Sequence, residues 1–130
     1  MKEGNIQLLD LDFEYKIWKN KLQYFRAEIK ILEDRVYVLS REFPGFDISK
    51  DNKDIITNQQ EFIQRVLNKI KTREQEMAHF AEDYPICEDH SHFKLHEKVR
   101  EEIEIIRNLQ QELINGIYTP LCYPIGLEKS

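Results

Sequence analysis

The first third of the chain carries an apolar residue at every a and d position of a heptad repeat. The spacing between successive members alternates between four and three residues without a break. The members are Leu11, Tyr15, Trp18, Leu22, Phe25, Ile29, Leu32, Val36, Leu39 and Phe43. A helix with this spacing presents one continuous apolar stripe. The pattern therefore predicts a helix from about residue 6 to residue 43 that packs along its whole length.

The same predicted helix carries a second apolar stripe, formed by Phe13, Ile17, Tyr24, Ala27, Ile31 and Val38. At about 100° per residue, this stripe lies nearly opposite the first. If these six side chains each left ~100 Å² of apolar area exposed, burying them would recover about 15 kcal/mol before the cost of association. We therefore expect an interface with a second copy of the chain or with a partner helix, or a contact with the C-terminal tail. Its predicted residues are Phe13, Ile17, Tyr24, Ile31 and Val38.

Two further heptad patterns predict a second helix at about residues 52–83 and a third at about residues 89–115. The a and d positions of the second helix are Ile56, Gln59, Ile63, Val66, Ile70, Arg73, Met77 and Phe80. Those of the third helix are His92, His96, Val99, Ile103, Ile106, Gln110 and Leu113. Three polar residues interrupt these apolar stripes: Gln59, Arg73 and Gln110. Their simplest interpretation is that they specify the register between helices. We expect Arg73 either to extend its guanidinium toward solvent or to pair with Glu101 or Glu102.

The breaks between these patterns predict the fold. Pro44-Gly45 and Tyr84-Pro85 interrupt the patterns, because proline cannot continue a helix. Short connections make sequential helices antiparallel neighbours. The sequence therefore predicts an all-α fold, a long three-helix antiparallel (up-down-up) bundle that forms a single domain over residues 1–130. Gly116 is expected to end the third helix, and an irregular, packed C-terminal tail to cover residues 117–130.

Composition and charge narrow the classes of function. The net charge is −5, and basic residues alternate with acidic ones, so no nucleic-acid partner is expected. The chain has no apolar run near the ~20 residues of a membrane span and no apolar segment typical of a secretory signal after its first residues, so no membrane partner is expected either. Its two cysteines form no CxxC pair. These features favour a cytoplasmic protein with reduced thiols.

The four histidines fall within 18 residues: His79, His90, His92 and His96. His92 and His96 are four residues apart on the apolar stripe of the third helix, which is the spacing of helical metal sites. Counting residues outward from the loops places Glu14 one turn from both imidazoles. A zinc or non-haem iron site would use His92, His96 and Glu14, with His79, Glu76 or water as a further ligand. The plainer interpretation makes both imidazoles hydrogen-bonded members of the stripe, near Tyr15 and Trp18.

No motif in the chain is typical of an enzyme. It lacks a Ser-His-Asp arrangement, a glycine-rich phosphate loop and a paired catalytic acid motif. The sequence therefore favours a non-enzymatic structural or interaction protein that acts through helix–helix self-association or through docking of a partner. The alternative is a metal-binding helical bundle that holds zinc or iron at its histidine-rich end.

Overall fold

Three long helices and one short strand pair make up the chain as the computed structural model describes it, over residues 6–43, 45, 50–78, 85–86 and 90–122. The helices are α1 (Leu8–Glu42), α2 (Lys50–Met77) and α3 (Ser91–Cys122). The strands β1 (Ile6–Gln7) and β2 (Pro85–Ile86) pair antiparallel, with Ile6 opposite Ile86. The predicted all-α bundle is confirmed, and the two-residue strand pair is an addition that the heptad patterns do not predict.

Side-chain contacts between α1 and α3 establish that these two helices run in the same direction. Glu14 contacts His96 near the start of both helices, and Glu28 contacts Gln110 further along both. The residue numbers rise together on the two helices, which is the relation expected of the first and third helices of an up-down-up bundle.

The contacts between α2 and α3 have the opposite order. Lys69 of α2 binds Glu102 of α3 at 2.7 Å, and Gln59, ten residues earlier in α2, binds Gln110, eight residues later in α3. The residue numbers therefore fall on one helix as they rise on the other. Since α2 is antiparallel to α3 and α3 is parallel to α1, the order of helices is up-down-up.

The core lies along the three heptad stripes where they face one another. Every described a and d residue is buried or half-buried, and Tyr15, Leu22, Ile29, Ile63, Ile70 and Ile106 are fully buried. Full burial of a large aliphatic or aromatic side chain contributes about 1.5–3 kcal/mol relative to leaving it exposed. Phe80, also predicted to face the core, lies outside the described residues.

The second helix extends through Met77, and the predicted limit at residue 83 lies outside the described residues. The backbone N–H of Ala78 still donates to the carbonyl of Glu74 at 3.0 Å.

The third helix continues past its predicted end at residue 115. Gly116 does not adopt the positive φ angle of a helix-terminating glycine, which among the described residues occurs only at Gly45. A glycine inside a helix costs about 1 kcal/mol relative to alanine, which a long packed helix can absorb. The helix therefore reaches Cys122, and residues 117–122 are helical where an irregular tail was expected. The side chains from residue 117 onward lie outside the described part, as do residues 123–130.

One buried polar layer crosses the bundle at the level of Gln59 and Gln110. The Nε2 amide of Gln59 donates to Oε1 of Gln110 at 3.0 Å and to the carbonyl of Ile106 at 3.0 Å. The Nε2 amide of Gln110 donates to the carbonyl of Phe25 and to Glu28 on α1. The layer joins all three helices, and a slide of any helix along its axis would leave these amides unpaired. This agrees with the predicted role in setting register.

Arg73, the remaining polar member of the stripes, pairs differently from the prediction. Its guanidinium lies 3.3 Å from a carboxylate oxygen of Glu76 on its own helix, while Glu102 is bound by Lys69. Residues three apart on a helix are neighbours, so this pair forms without any contact between helices. Arg73 therefore contributes no bond between α2 and α3 among those described.

We predict that the two glutamines of the polar layer act as a unit. Gln110→Leu alone should lower the free energy of unfolding by about 1–3 kcal/mol, because the Gln59 amide loses a buried partner. Gln59→Leu combined with Gln110→Leu should return the stability close to wild type, since both polar groups are gone, including Gln59 Oε1, which has no described hydrogen-bond partner. Urea unfolding followed by circular dichroism measures both.

The control for this prediction is the exposed neighbour Gln111. Gln111→Leu should change the free energy of unfolding by no more than about 0.5 kcal/mol, as expected of a surface position. Additive losses from the two single substitutions in the layer would contradict the prediction.

Candidate functional site

A charged cluster joins α1 and α3 near the end of the bundle where both helices begin. Oε1 of Glu14 lies 2.6 Å from Nε2 of His96 and 2.6 Å from Nη2 of Arg100. Arg100 also donates from Nη1 to Glu97 at 2.9 Å. One carboxylate oxygen of α1 therefore accepts from two side chains of α3, which lie one helical turn apart and so share a face.

Aromatic rings enclose the imidazole of His96. Trp18 stacks on it with ring centroids 4.6 Å apart, and Tyr15 meets it edge to face at 4.5 Å. The guanidinium carbon of Arg100 lies 5.7 Å from the centroid of Trp18, within the range of a cation–π contact. His96 is fully buried as a result. The heptad positions account for this arrangement, because Tyr15, Trp18 and His96 all belong to stripes that face the core.

Burial and hydrogen bonding together set the protonation states in the cluster. Burial lowers the pKa of His96 below its ordinary value, and the hydrogen bond to Glu14 offsets only part of that effect. Burial alone would raise the pKa of Glu14, but hydrogen bonds from His96 and Arg100 outweigh it, so the pKa of this carboxyl is lowered. At neutral pH the cluster therefore contains an ionised Glu14, a charged Arg100 and a neutral His96.

These states determine which ring nitrogen of His96 carries the proton. An ionised Glu14 can only accept, so Nε2 of His96 is the donor and Nδ1 is left as an acceptor. Nδ1 is buried and has no hydrogen-bond partner among the described residues. A cation bound at Glu14 would compete with the guanidinium of Arg100, which already contacts the carboxylate. In the described arrangement Arg100 bridges the carboxylates of Glu14 and Glu97, and the cluster fastens α1 to α3.

Two of the remaining histidines contact each other, and the third lies beyond the described residues. His92 is half-buried and stacks on His90 with ring centroids 5.1 Å apart, and its backbone N–H donates to Nδ1 of His90 at 3.1 Å. Burial lowers the pKa of His92, and the neighbouring His90 lowers it further. His79 lies outside the described residues. Within the described ranges, no group of three His, Cys, Asp or Glu side chains is placed to hold a metal ion.

The second apolar stripe of α1 is exposed to solvent along its length. We call it the outer face of α1 and define it by Phe13, Ile17, Tyr24, Ala27, Ile31 and Val38. Its large members are between 38% and 66% exposed. Leu9, at 60%, extends the apolar surface beyond the stripe. All five residues predicted to form an interface therefore lie on one accessible surface, while the opposite side of α1 contacts the core.

The structure also identifies site residues that the sequence analysis missed. Counting from the loops brought Glu14 near His96, as the contact now demonstrates, but it did not include Arg100. The signal for Arg100 is its position four residues after His96, on the same side of α3. Leu9 was missed because it lies beside the heptad positions of the outer face.

Comparison with known proteins identifies no relative of this chain. No protein-family model, no curated protein and no solved structure matches the chain. In the described part, none of the helices combines the length and the apolar character needed to cross a membrane. Proposals about function therefore rest on the geometry of the chain itself.

We predict that His96 makes the fold less stable in mild acid. Because its pKa is lowered in the folded state, the unfolded chain binds more protons below about pH 6.5, so stability falls as the pH drops below that value. Glu14 has a lowered pKa as well, and its contribution is lost at lower pH, below its ordinary value of 4.5. His96→Gln, which cannot titrate, should flatten the loss between about pH 6.5 and pH 5 when urea unfolding is measured across this range.

His90→Gln is the control for this experiment, since it removes an imidazole outside the cluster and should retain most of the wild-type slope. His92 has a lowered pKa of the same sign, so some dependence on pH should persist in the His96→Gln protein. Equal slopes in wild type and His96→Gln would show that His96 does not govern the acid sensitivity.

The metal hypothesis makes a separate prediction. If zinc binds at the histidine-rich end, it should raise the melting temperature of the wild-type protein, and His92→Ala and His96→Ala should each abolish the rise. His90→Ala should not. Binding should weaken as the pH falls through ~6.5, because the ligand is the neutral imidazole. An unchanged melting temperature on zinc titration would contradict the hypothesis and leave His96 with its packing and hydrogen-bonding role.

Proposed function

We propose that this chain is a non-enzymatic structural or interaction protein that associates with another helix through the outer face of α1. The association would be a homodimer or the docking of a partner helix, and we place it in the cytoplasm. The observation that carries the proposal is the row of exposed large apolar side chains from Phe13 to Val38 on a helix whose other side is already buried.

The area of the outer face supports a specific interface. The largest exposed apolar patch on a typical soluble monomer is about 300–600 Å² and is often functional, and larger patches mark interaction sites. If six side chains contribute ~100 Å² each, pairing two such faces would bury about 1,200 Å², the lower end of the range for specific protein–protein interfaces. The entropic cost of association offsets part of the free energy gained by burying this area, so a dimer of moderate affinity is expected.

A charged pair borders the outer face on α1 itself. Lys16 pairs with Asp12 one turn earlier. An apolar centre with a charged border is the usual composition of a protein interface. This pair holds its charges at the border, which favours an apolar helix over a charged ligand as the occupant.

The buried cluster around His96 supports a structural role more than a catalytic one. A general base has to reach the proton that it removes, whereas His96 is fully buried between Tyr15 and Trp18. Arg100 neutralises Glu14 without a free position for a substrate on the shared carboxylate oxygen. The cluster accordingly supports the positioning of α1, the helix that carries the proposed interface.

We predict that Ile31→Glu dissociates the assembly without unfolding the protein. Ile31 is 66% exposed, so a charge there costs little in the isolated chain but would be buried in the interface. Sedimentation equilibrium at micromolar concentration should show a larger fraction of monomer for Ile31→Glu than for wild type. Circular dichroism should show the same helical content for both proteins.

Two further variants serve as controls. Ile105→Glu introduces the same charge at an exposed isoleucine on α3 and should leave the association constant unchanged. Leu32→Ala truncates a half-buried core side chain, so it should reduce folding stability more than Ile31→Glu while weakening association less. A wild-type protein that is monomeric and captures no partner helix would overturn the proposal.

A further inference from the structure

The outer face of α1 has the spacing of a two-stranded coiled coil. Ile17, Tyr24, Ile31 and Val38 are each seven residues apart, and Asp10 continues the series at the start of the helix. A second series, also seven apart, interleaves with the first: Phe13, Asn20, Ala27, Asp34 and Arg41. The two series have the relation of a and d positions in a heptad repeat, so each can face a position on another helix of the same kind.

We infer that the occupant of this face is a second copy of the chain, with its α1 antiparallel to the first. The inference rests on the proposed function and names the partner and its orientation. In an antiparallel pair, each a position of one helix faces a d position of the other. One register uses all ten positions, and in it the numbers of two facing residues add to 51.

Side-chain sizes fit this register. Tyr24 faces the partner's Ala27 at the centre, and Phe13 faces the partner's Val38 toward each end. A large residue opposite a smaller one allows two helices to approach without leaving a cavity. The two-fold axis would pass between Phe25 and Arg26, and each contact would occur twice.

Charges favour the antiparallel orientation over the parallel one. Asp10 lies in the first turn of α1 and Arg41 in its last turn, and in this register Asp10 faces the partner's Arg41 at both ends. A parallel pair would instead place each of these residues against its own copy, with like charges together. The antiparallel pair also brings the positive end of one helix dipole beside the negative end of the other.

The flanking positions add a second complementary pair. Antiparallel helices bring Lys21 beside the partner's Glu28. Lys21 is exposed, and Glu28 is half-buried, with one oxygen accepting from Gln110. A carboxylate has capacity for further donors, so its bond within the bundle is compatible with the ammonium group of the partner.

The residues that face one another differ among the possible registers. In the register that sums to 51, Asn20 and Asp34 face isoleucines of the partner. These two contacts weaken the pair, but no like charges are opposed. A shift of one heptad in one direction sets Asp10 against the partner's Asp34. A shift in the other direction sets Arg41 against the partner's Ile17 and leaves Phe13 unpaired. Only the proposed register pairs both terminal charges with opposite charges.

A charge exchange at the ends of α1 tests this register. Asp10→Lys and Arg41→Glu should each raise the dissociation constant of the dimer about tenfold at low ionic strength, because each converts two attractive contacts into two repulsive ones. The double variant D10K/R41E should return the constant to within about threefold of wild type, since the ends again carry opposite charges. Sedimentation equilibrium measures all four proteins, and high salt should reduce the differences.

Controls separate this inference from the proposed function. Lys98→Glu reverses an exposed charge on α3 and should leave the dissociation constant unchanged, and the melting temperatures of all variants should verify folding. If Ile31→Glu dissociates the dimer but D10K/R41E does not restore it, the register is wrong while the proposed function stands. If the wild-type chain is monomeric at micromolar concentration, the inference of an antiparallel dimer is overturned. The proposed function is overturned as well if that monomer also captures no partner helix.

Discussion

A three-helix bundle can cover only one side of each of its helices, and this constraint determines how the chain uses α1. The packing of α2 and α3 buries the stripe that contains Tyr15, Leu22 and Ile29. The opposite stripe of the same helix is equally regular but has no neighbour among the described residues. A 35-residue helix is about 50 Å long, so the uncovered side is long as well as apolar. The fold thereby separates a side of α1 that stabilises the bundle from a side that is available to bind.

Polar contacts at two levels of the bundle, near the start of α1 and near its middle, hold this helix in position. Glu14 binds His96 and Arg100 near its start, and Glu28 binds Gln110 further along. Apolar packing is tolerant of small axial shifts, whereas hydrogen bonds to buried groups are directional and costly to break. The combination therefore fixes both the height and the rotation of α1. Its rotation matters most, because a turn of the helix about its axis would exchange exposed for buried positions.

The fold could be predicted largely from spacing, while the site could be predicted only in part. Long heptad patterns specify helices and their buried faces, and proline positions limit the loops. Short features leave no such periodic signal, so the strand pair at Ile6 and Ile86 was not foreseen, and neither was the continuation of α3 past Gly116. Counting from the loops paired Glu14 with His96 because register follows from geometry. It could not find Arg100, because several side chains at that level could have reached the same carboxylate.

The contacts between α1 and α3 also bear on the order in which the chain folds. Glu14 and His96 are separated by 82 residues, as are Glu28 and Gln110, whereas Lys69 and Glu102 are 33 apart. Contacts close in sequence form faster, so the helical hairpin of α2 and α3 is expected to form before α1 docks against α3. The entropic cost of closing a loop grows only slowly with its length, by about 0.6 kcal/mol for each doubling. The docking of α1 against α3 is therefore slowed, while the stability of the finished bundle is little affected. Because α1 also contacts α2, through Lys19 and Glu74 at 2.9 Å, the nascent chain would leave uncovered only the part of the core side of α1 that contacts α3, together with its outer face, until α3 is complete.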